Sequence, residues 1–141
     1  ATLVGDVLKG VIPVVVAQWW LSGWPLALVA LAAFLGHLFP AFFGFRGGKG
    51  VATGLGVYLA LAPLLAGLMI ATWLVVVAVS RYSSLAALVA AVSAPLWTLW
   101  LYPSPPLLVL AVALAGLLLW KHGDNIARLR AGTEGKIGQK G

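Results

Sequence analysis

Apolar residues fill three long stretches of the chain, 10–45, 50–80 and 82–120, and charged residues are confined to the segments around them. Each stretch exceeds the roughly 20 residues that cross a bilayer once as a helix, so we expect each to hold two helical segments. Proline and glycine punctuation divides them into about six predicted helices. Their predicted bounds are 3–21, 25–39, 51–62, 64–80, 84–101 and 106–121. The pattern therefore predicts an all-α, polytopic membrane helix bundle, a single transmembrane domain over residues 1–141 with a polar cytoplasmic tail at 121–141.

The stretch from residue 51 to residue 80 admits two interpretations. As one helix, at about 1.5 Å per residue, it would be roughly 45 Å long in a hydrocarbon core of about 30 Å. A break near Pro63 would instead make a hairpin with a short, partly buried first arm. The break places all nine Lys and Arg residues on one side of the membrane. Because the positive-inside rule favours that arrangement, we predict the broken hairpin with its basic side facing the cytoplasm.

The broken hairpin also predicts an aromatic belt at the opposite interface, where amphipathic rings are enriched. Its members would be Trp19, Trp20, Trp24, Trp97, Trp100 and Tyr102.

Composition narrows the class of protein further. With 62% hydrophobic and 9% charged residues, the chain has too little polar surface for a soluble domain of this size. The net charge of +6 is dispersed between apolar segments, so no nucleic-acid partner is expected. The chain has no cysteine and only two histidines and three acids, so we expect no dedicated metal site. It also begins without methionine, inside or just before a predicted helix, which suggests a trimmed sequence.

A glycine-rich segment precedes the third predicted helix. Four glycines fall within residues 44–50, together with Arg46 and Lys49. Exposed backbone N–H groups, two basic side chains and the following helix N-terminus would together favour an anion. The segment is not a Walker A loop, because Gly50 stands where Ser or Thr would hold magnesium. A flexible loop whose basic residues only set topology is the alternative, and the clustered glycines favour anion binding.

Two polar pairs lie at the same predicted end of the bundle. Arg81 and Ser84 are three residues apart at the start of the fifth helix, so they share a helical face and could hold an anion there. Helix capping would be enough to explain Ser83. His122 and Asn125 have the same spacing beyond the sixth helix, and both side chains can donate hydrogen bonds to phosphate oxygens.

Three ionisable residues fall inside predicted helices. Asp6 and Lys9 are three residues apart in the first helix, and we interpret them as a structural pair. His37, near the end of the second helix, has two interpretations of equal weight, helix packing and substrate contact.

Five ordered segments resemble the motifs of the bacterial acyl-phosphate-dependent glycerol-3-phosphate acyltransferases. They are Gly36-His37-x-Phe39-Pro40, Phe45-x-Gly47-Gly48-Lys49-Gly50-Val51-Ala52-Thr53, Arg81-Tyr82-x-Ser84-Leu85, His122-x-x-Asn125-Ile126-x-Arg128-Leu129 and Gly132-Thr133-Glu134-x-Lys136-Ile137-Gly138. Asp6-x-x-Lys9-Gly10 is also similar to that family, so the resemblance covers nearly the whole chain.

The sequence departs from the family pattern at three places. Position 123 is Gly where a basic residue is common, and position 83 is Ser where an aliphatic residue is common. The family's first membrane helix and an earlier motif rich in Ser, Asn, Gly and Thr would lie upstream of residue 1. The resemblance therefore implies an N-terminally truncated chain that lacks part of the family's substrate site.

The resemblance implies transfer of a fatty acyl group from acyl phosphate to the 1-hydroxyl of glycerol 3-phosphate, giving lysophosphatidic acid and phosphate. The implied partners are these two substrates and membrane lipid, the implied location is the bacterial inner membrane with the site facing the cytoplasm, and no cofactor is implied. The implied catalytic residues are Lys49, Ser84, His122 and Asn125. The implied phosphate-binding residues are these four with Gly47, Gly48, Arg81 and His37.

Two steps of the chemistry stay open at this point. The hydroxyl proton could pass to His122 as general base or to a substrate phosphate oxygen, and we favour the phosphate because it is already adjacent. The fatty chain is expected to lie between helices and to reach the site laterally. A small transporter of phosphate or an organic anion is the competing function, but it would need a polar path across the membrane. Asp6, Lys9 and His37 are the only ionisable residues that could supply one.

Overall fold

The computed structural model describes residues 3–39 and 49–138, and these ranges form seven α-helices and no strand. The helices are α1 (Leu3–Ala17), α2 (Gly23–Leu38), α3 (Val51–Leu61), α4 (Pro63–Ser80), α5 (Ser83–Leu101), α6 (Pro105–Lys121) and α7 (Gly123–Ala131). The all-α prediction is confirmed. The six predicted helices correspond to α1–α6, and α7 is an additional helix within the segment predicted only as a polar tail.

Length and apolar composition decide which described helices could cross a membrane. Helices α4 and α5 each qualify alone, and α6 with α7 qualifies as one span bent by 62°. Helices α2 and α3 are apolar but shorter. The chain therefore combines helices long enough to cross a membrane with shorter apolar ones, of which α2 packs against α1 and α6, and α3 against α1 and α4.

The predicted break lies at Ala62, between α3 and α4. Ala62 leaves the helical region, with φ −153° and ψ 81°. Pro63 then opens α4, where its missing N–H group breaks no helical hydrogen bond. The Gln18 side chain donates to the carbonyl oxygen of Ala60 at 3.1 Å, which satisfies one acceptor freed at the end of α3. The prediction of a broken hairpin is confirmed.

The two arms of this hairpin have their free ends at the same end of the bundle. Lys49, just before α3, donates to the side chain of Asn125. Asn125 and Ser84, at the start of α5, both donate to Glu134. Since α4 ends at Ser80, only a few residues before Ser84, its free end lies close to Lys49. A single continuous helix over residues 51–80 would have separated these groups.

Helix α3 is held against α1 by direct backbone contact. A Cβ atom on Gly56 would lie 2.1 Å from the carbonyl oxygen of Val7, and one on Gly10 would lie 2.2 Å from that of Thr53. The Thr53 hydroxyl donates to the carbonyl oxygen of Asp6 at 2.8 Å. Small residues allow this approach, as is usual for helix pairs in membranes. The short arm of the hairpin is therefore fixed.

The chain enters α3 through a residue that must be glycine. Gly50 has φ +94°, and a Cβ atom there would lie 2.4 Å from the ring of Phe34. Phe34 is fully buried in the main core, with Leu38 and Val57. Gly50 therefore turns the backbone over this core and brings Lys49 to the polar end of α3.

Helix α7 forms because its polar sequence still carries two apolar residues on one side. Ile126 and Leu129 pack against a cluster of Leu88, Ala91 and Leu118. The helix ends at Gly132, whose φ of +75° allows a left-handed C-cap. The 62° bend between α6 and α7 places His122 at the junction.

Candidate active site

A cavity of about 820 Å³ lies between α3, α4, α5 and α6. Its charged groups and most of its polar side chains lie at the end of the bundle where the basic residues lie, and its remaining lining is largely apolar. The polar members at this end are Lys49, Ser83, Ser84, His122, Asn125 and Glu134. The apolar members include Leu55, Met69, Ala91 and Leu114, and the aromatic side chains of Tyr58 and Trp73 lie among them with one polar atom each. This shape suits an amphipathic ligand with an anionic head and an apolar chain.

The cavity is closed on one side and open on another. Its walls from α5 and α6 are buried, as Ala91 and Leu114 show. The lining residues Val51, Ile70 and Leu74 are 41%, 40% and 54% exposed. The opening is therefore apolar and is flanked by α3 and α4.

Lys49 and Asn125 meet at the polar end. The Lys49 ammonium group donates to Oδ1 of Asn125, which fixes the orientation of that amide. Nδ2 of Asn125 donates to Oε2 of Glu134 at 2.8 Å. Within 3–39 and 49–138, every ion pair involves another cation, so the Lys49 charge has no carboxylate partner there. Two ammonium hydrogens stay available for a ligand.

Glu134 accepts hydrogen bonds from two of these side chains and from Arg128. Its carboxylate accepts from the Ser84 hydroxyl at 2.5 Å, from Asn125 Nδ2 at 2.8 Å and from Arg128 Nε at 2.8 Å. The hydrogen bond from Arg128, followed by those from Ser84 and Asn125, lowers the pKa of Glu134 to about 2. Glu134 was not among the predicted site residues, although it is one of three acids in the chain and stands in the last motif.

His122 is buried at the α6–α7 junction, with 3% of its surface exposed. Its Nδ1 lies 2.8 Å from the carbonyl oxygen of Leu118. A carbonyl only accepts, so Nδ1 carries a hydrogen, and Nε2 of the neutral ring is an acceptor. Burial lowers the pKa of His122, the Lys49 charge adds to this effect, and the Leu118 contact and Glu134 oppose it. The sequence predicted donation from neutral His122 to phosphate, and in the structure the Nδ1 side of the ring faces the carbonyl oxygen of Leu118.

Arg81 lies outside the cavity lining. Its guanidinium group donates to the carbonyl oxygen of Ile137 at 2.7 Å from Nη2 and 3.2 Å from Nε. The backbone N–H of Ile137 donates back to the carbonyl oxygen of Arg81 at 2.7 Å. Arg81 thus ties down the segment that follows α7 instead of meeting Lys49.

His37 also lies outside the cavity lining, beside the Asp6–Lys9 pair. Lys9 Nζ is 3.3 Å from Asp6 Oδ1, as expected for a structural pair. Nδ1 of His37 is 3.8 Å from the same carboxylate oxygen and has no hydrogen-bond partner in the described residues. The predicted ligands Gly47 and Gly48 lie outside those residues.

The fold and the site define a class of protein, a helical membrane protein whose cavity has a basic, polar end and a largely apolar side. The chain belongs to the glycerol-3-phosphate acyltransferase family, whose model matches residues 1–132. It is therefore an acyltransferase.

Individual relatives agree with this assignment. The glycerol-3-phosphate acyltransferase of Halorhodospira halophila is 51% identical, over 99% of this chain and 72% of its own. That of Methylorubrum populi is 52% identical, over 100% of this chain and 69% of its own.

Solved structures agree as well. Crystal structures of PlsY (YgiH), an integral membrane glycerol 3-phosphate acyltransferase, match in the glycerol 3-phosphate form with a TM-score of 0.92 and in the lysophosphatidic acid form with 0.91. Both are 39% identical and cover 96% and 95% of this chain and 69% of that chain. These comparisons favour the acyltransferase over the anion transporter.

Proposed function

We propose that this protein transfers a fatty acyl group from acyl phosphate to the 1-hydroxyl of glycerol 3-phosphate, releasing lysophosphatidic acid and inorganic phosphate. The relatives carry the name of the acceptor, and one matching structure is the glycerol 3-phosphate form. The acyl donor is our inference from the resemblance of the ordered motifs.

One observation carries this proposal. Lys49, Ser84, His122 and Asn125 come from three separate parts of the sequence and line one end of a cavity whose remaining walls are largely apolar. A phosphate group suits the charged end, and a fatty chain suits the rest. We assign Lys49 and Asn125 to phosphate binding, with Gly47 and Gly48 as further ligands because they immediately precede Lys49.

The chemistry needs little beyond holding and aligning the substrates, because an acyl phosphate is already activated. The 1-hydroxyl oxygen bonds to the acyl carbon, the bond from that carbon to the phosphate oxygen breaks, and phosphate leaves. The Lys49 ammonium group offsets the repulsion between two phosphate-bearing substrates and the charge that develops on the leaving phosphate.

The hydroxyl proton passes to a phosphate oxygen in this proposal. Burial lowers the pKa of His122 and so makes the ring a weaker base. A phosphate oxygen is part of the reacting group and needs no further positioning. His122 contributes its Nε2 as a hydrogen-bond acceptor in the site.

Arg81 and His37 take indirect roles in this proposal. Arg81 holds the segment that carries Glu134 through its contacts with Ile137. His37 supports the α1–α2 contact beside Asp6. Both roles differ from the direct phosphate contact that the sequence predicted.

We further propose that the polar end of the bundle, in one domain over residues 1–141, faces the cytoplasm across the bacterial inner membrane. The basic residues of the described ranges that lie near the site support this orientation under the positive-inside rule. The apolar opening beside α4 supports entry of the fatty chain from the bilayer.

The test is an assay of the complete reading frame that contains this chain, purified in detergent and supplied with acyl phosphate and glycerol 3-phosphate. We expect equal amounts of lysophosphatidic acid and phosphate, measured by mass spectrometry and phosphate release. Acyl-CoA replaces acyl phosphate in the control and is expected to support no turnover. Acylation from acyl-CoA alone would contradict the proposed donor.

A further inference from the structure

Tyr58 places a polar atom in the largely apolar wall of the cavity. Its side chain lines the cavity, belongs to the main core and is 2% exposed. Within residues 3–39 and 49–138, its hydroxyl forms no hydrogen bond. The fully enclosed side-chain atoms without a partner in these ranges are His37 Nδ1 and Trp97 Nε1. The Tyr58 hydroxyl is not among them, so the space beside it is the cavity.

A hydroxyl group in this position lowers stability unless something pairs with it. Buried tyrosine hydroxyls normally have a hydrogen-bond partner, because an unpaired buried donor has lost its contact with water and gained nothing in return. Phenylalanine would fill nearly the same volume without this loss. A ligand that carries an acceptor to this wall would restore the hydrogen bond. Tyr58 therefore indicates a polar contact that forms when substrate is bound.

The direction of α3 brings this hydroxyl toward the polar end of the cavity. Val51, Leu55 and Tyr58 follow one another at helical spacing on the face of α3 that lines the cavity. Tyr58 lies about 10 Å along the helix from Val51, the first residue of α3. Side chains on a helix lean toward its N-terminus, which here is the end that carries Lys49. The hydroxyl is thus nearer to Lys49 than the Tyr58 backbone is.

Trp73 carries the other polar atom of this wall and leans the opposite way. Helix α4 begins at Pro63, beside the break, so its N-terminus lies at the far end of the cavity from Lys49. The same lean toward the N-terminus therefore directs the Trp73 side chain away from Lys49. Trp73 is also partly exposed, whereas Tyr58 is buried. Of these two side chains, Tyr58 is the one directed at the space next to a bound phosphate.

An acyl phosphate brings one acceptor into that space. Its carbonyl carbon is bonded directly to a phosphate oxygen, so a phosphate held by Lys49 places the carbonyl oxygen just inside the apolar part of the cavity. Beyond the carbonyl, a saturated fatty chain has no further acceptor. A phenol keeps its proton at neutral pH and can donate it in a hydrogen bond. The carbonyl oxygen therefore matches the unpaired hydroxyl of Tyr58.

We propose that the Tyr58 hydroxyl donates to the acyl carbonyl oxygen and stabilises the negative charge that develops there during acyl transfer. This inference rests on the proposed function and deepens it. As the 1-hydroxyl oxygen bonds to the acyl carbon, the π electrons of the carbonyl move onto its oxygen. They return when the bond to the phosphate oxygen breaks and phosphate leaves. Tyr58 keeps its proton throughout, and the hydrogen of the 1-hydroxyl passes to phosphate. A fixed donor stabilises the charged oxygen more than the neutral one.

Tyr58→Phe removes only the hydroxyl group and is tested in the complete reading frame with acyl phosphate and glycerol 3-phosphate. We expect kcat to fall by about 10- to 100-fold with little change in KM. This loss is smaller than the roughly 100- to 1,000-fold typical of an oxyanion donor, because an acyl phosphate is already activated. A fall of less than about threefold would overturn the proposal.

Thermal unfolding of the ligand-free protein separates this role from a structural one. Tyr58→Phe should unfold at the same temperature as wild type or at a higher one, because the variant loses a hydroxyl that has no partner. A lower unfolding temperature would show that the hydroxyl stabilises the fold, and would overturn the proposal.

Two inhibitors separate a contact with the carbonyl from a general effect on the chain. A long-chain 2-oxoalkylphosphonate keeps the carbonyl and replaces the bridging oxygen of acyl phosphate with a methylene, and an alkylphosphonate of equal length lacks the carbonyl. We expect wild type to bind the first more tightly by roughly three- to tenfold, the size of one neutral hydrogen bond. Tyr58→Phe should bind both equally. An unchanged preference in Tyr58→Phe would overturn the contact.

Trp73→Phe is the matched control, because it removes the other polar atom of the same wall. It should keep the wild-type preference for the inhibitor with the carbonyl, even where the smaller ring changes the affinity for both. Loss of the preference in Trp73→Phe and not in Tyr58→Phe would assign the contact to Trp73 and overturn the proposal.

The proposed function fails in a different way. If wild type forms no lysophosphatidic acid from acyl phosphate and glycerol 3-phosphate, the reaction assignment falls, and the Tyr58 inference falls with it. If wild type is active and Tyr58→Phe matches it in kcat and in inhibitor preference, only the Tyr58 inference falls.

Discussion

Lys49 carries the charge on which phosphate binding in the proposed site depends. Lys49→Met should lower kcat/KM by about ten- to 150-fold for each lost charge-assisted hydrogen bond of about 1.5–3 kcal/mol. The fold should persist, because the Lys49 side chain contacts Asn125 at an exposed position and supports no core packing. Turnover and thermal unfolding in detergent measure the two effects.

Lys121→Met is the control for Lys49→Met. The Lys121 ammonium group lies 4.9 Å from the ring centroid of Phe39 and outside the cavity lining. It should leave turnover within about twofold of wild type, as is usual for surface changes within about 0.5 kcal/mol. Near-normal turnover by Lys49→Met would exclude Lys49 as an essential phosphate ligand.

His122 separates the two routes for the hydroxyl proton. Glutamine at this position keeps hydrogen-bonding capacity but cannot act as a base near neutral pH. We expect His122→Gln to lower kcat less than the roughly 100-fold typical of a lost general base, and to keep the acid limb of the pH–rate profile where wild type has it. Loss of that limb in His122→Gln would identify His122 as the base.

The lowered pKa of Glu134 predicts how the folding stability of the protein changes at acidic pH. Its pKa of about 2 lies below its usual value of about 4.5, so its stabilising contribution is fully present above pH 4.5 and is lost as pH falls through about 2. The stability difference between wild type and Glu134→Gln should therefore stay constant from pH 7 to about pH 4.5 and shrink below it. Thermal unfolding across this range measures the difference. A difference that is already lost at pH 5 would contradict the lowered pKa.

The sequence predicted some site residues better than others for a physical reason. Lys49, Ser84 and His122 stand in short motifs where neighbouring residues suggest an anion site. Glu134 gains its role from Ser84, 50 residues away, and from Asn125, nine residues away. No local sequence pattern indicates such contacts, because they depend on how α5 and α7 approach each other.

At the scale of helices, the glycine contacts between α1 and α3 predict a sharp position dependence. Gly56→Ala should destabilise the protein by about 1–3 kcal/mol, the usual range for overpacking, since the new Cβ would lie 2.1 Å from the carbonyl oxygen of Val7. Gly67→Ala in α4 is the matched control, because nothing lies within 4 Å of its Cβ. It should be neutral or slightly stabilising, as alanine favours the helix. Thermal unfolding of both variants measures the effect, and equal destabilisation would contradict the close contact.

Helix prediction succeeded where local chemistry decides the structure. Pro63 and the glycines around α3 mark the break because their backbone preferences act within a few residues. Helix α7 is different, since its two apolar residues, Ile126 and Leu129, are too few to predict a helix alone. They become sufficient when they pack against Leu88, Ala91 and Leu118.

At the scale of the whole molecule, the proposed orientation in the membrane can be determined by labelling single introduced cysteines, because the chain has none of its own. Ser22 and Arg130 are exposed and lie at opposite ends of the bundle. In intact cells, Ser22→Cys should react with a membrane-impermeant thiol reagent, and Arg130→Cys should react only after permeabilisation. Labelling of Arg130→Cys in intact cells would contradict the cytoplasmic assignment.

The apolar opening beside α4 has a consequence for how this protein meets its substrates. A fatty chain that enters and leaves through it stays in hydrocarbon, and so avoids the roughly 0.8 kcal/mol per methylene that transfer to water requires. The chain-bearing substrate then arrives by diffusion in two dimensions, while glycerol 3-phosphate arrives from a volume of water. The concentration of acyl donor that sets the reaction rate is then its mole fraction among the surrounding lipids. Inert lipid would therefore dilute the donor without diluting the acceptor.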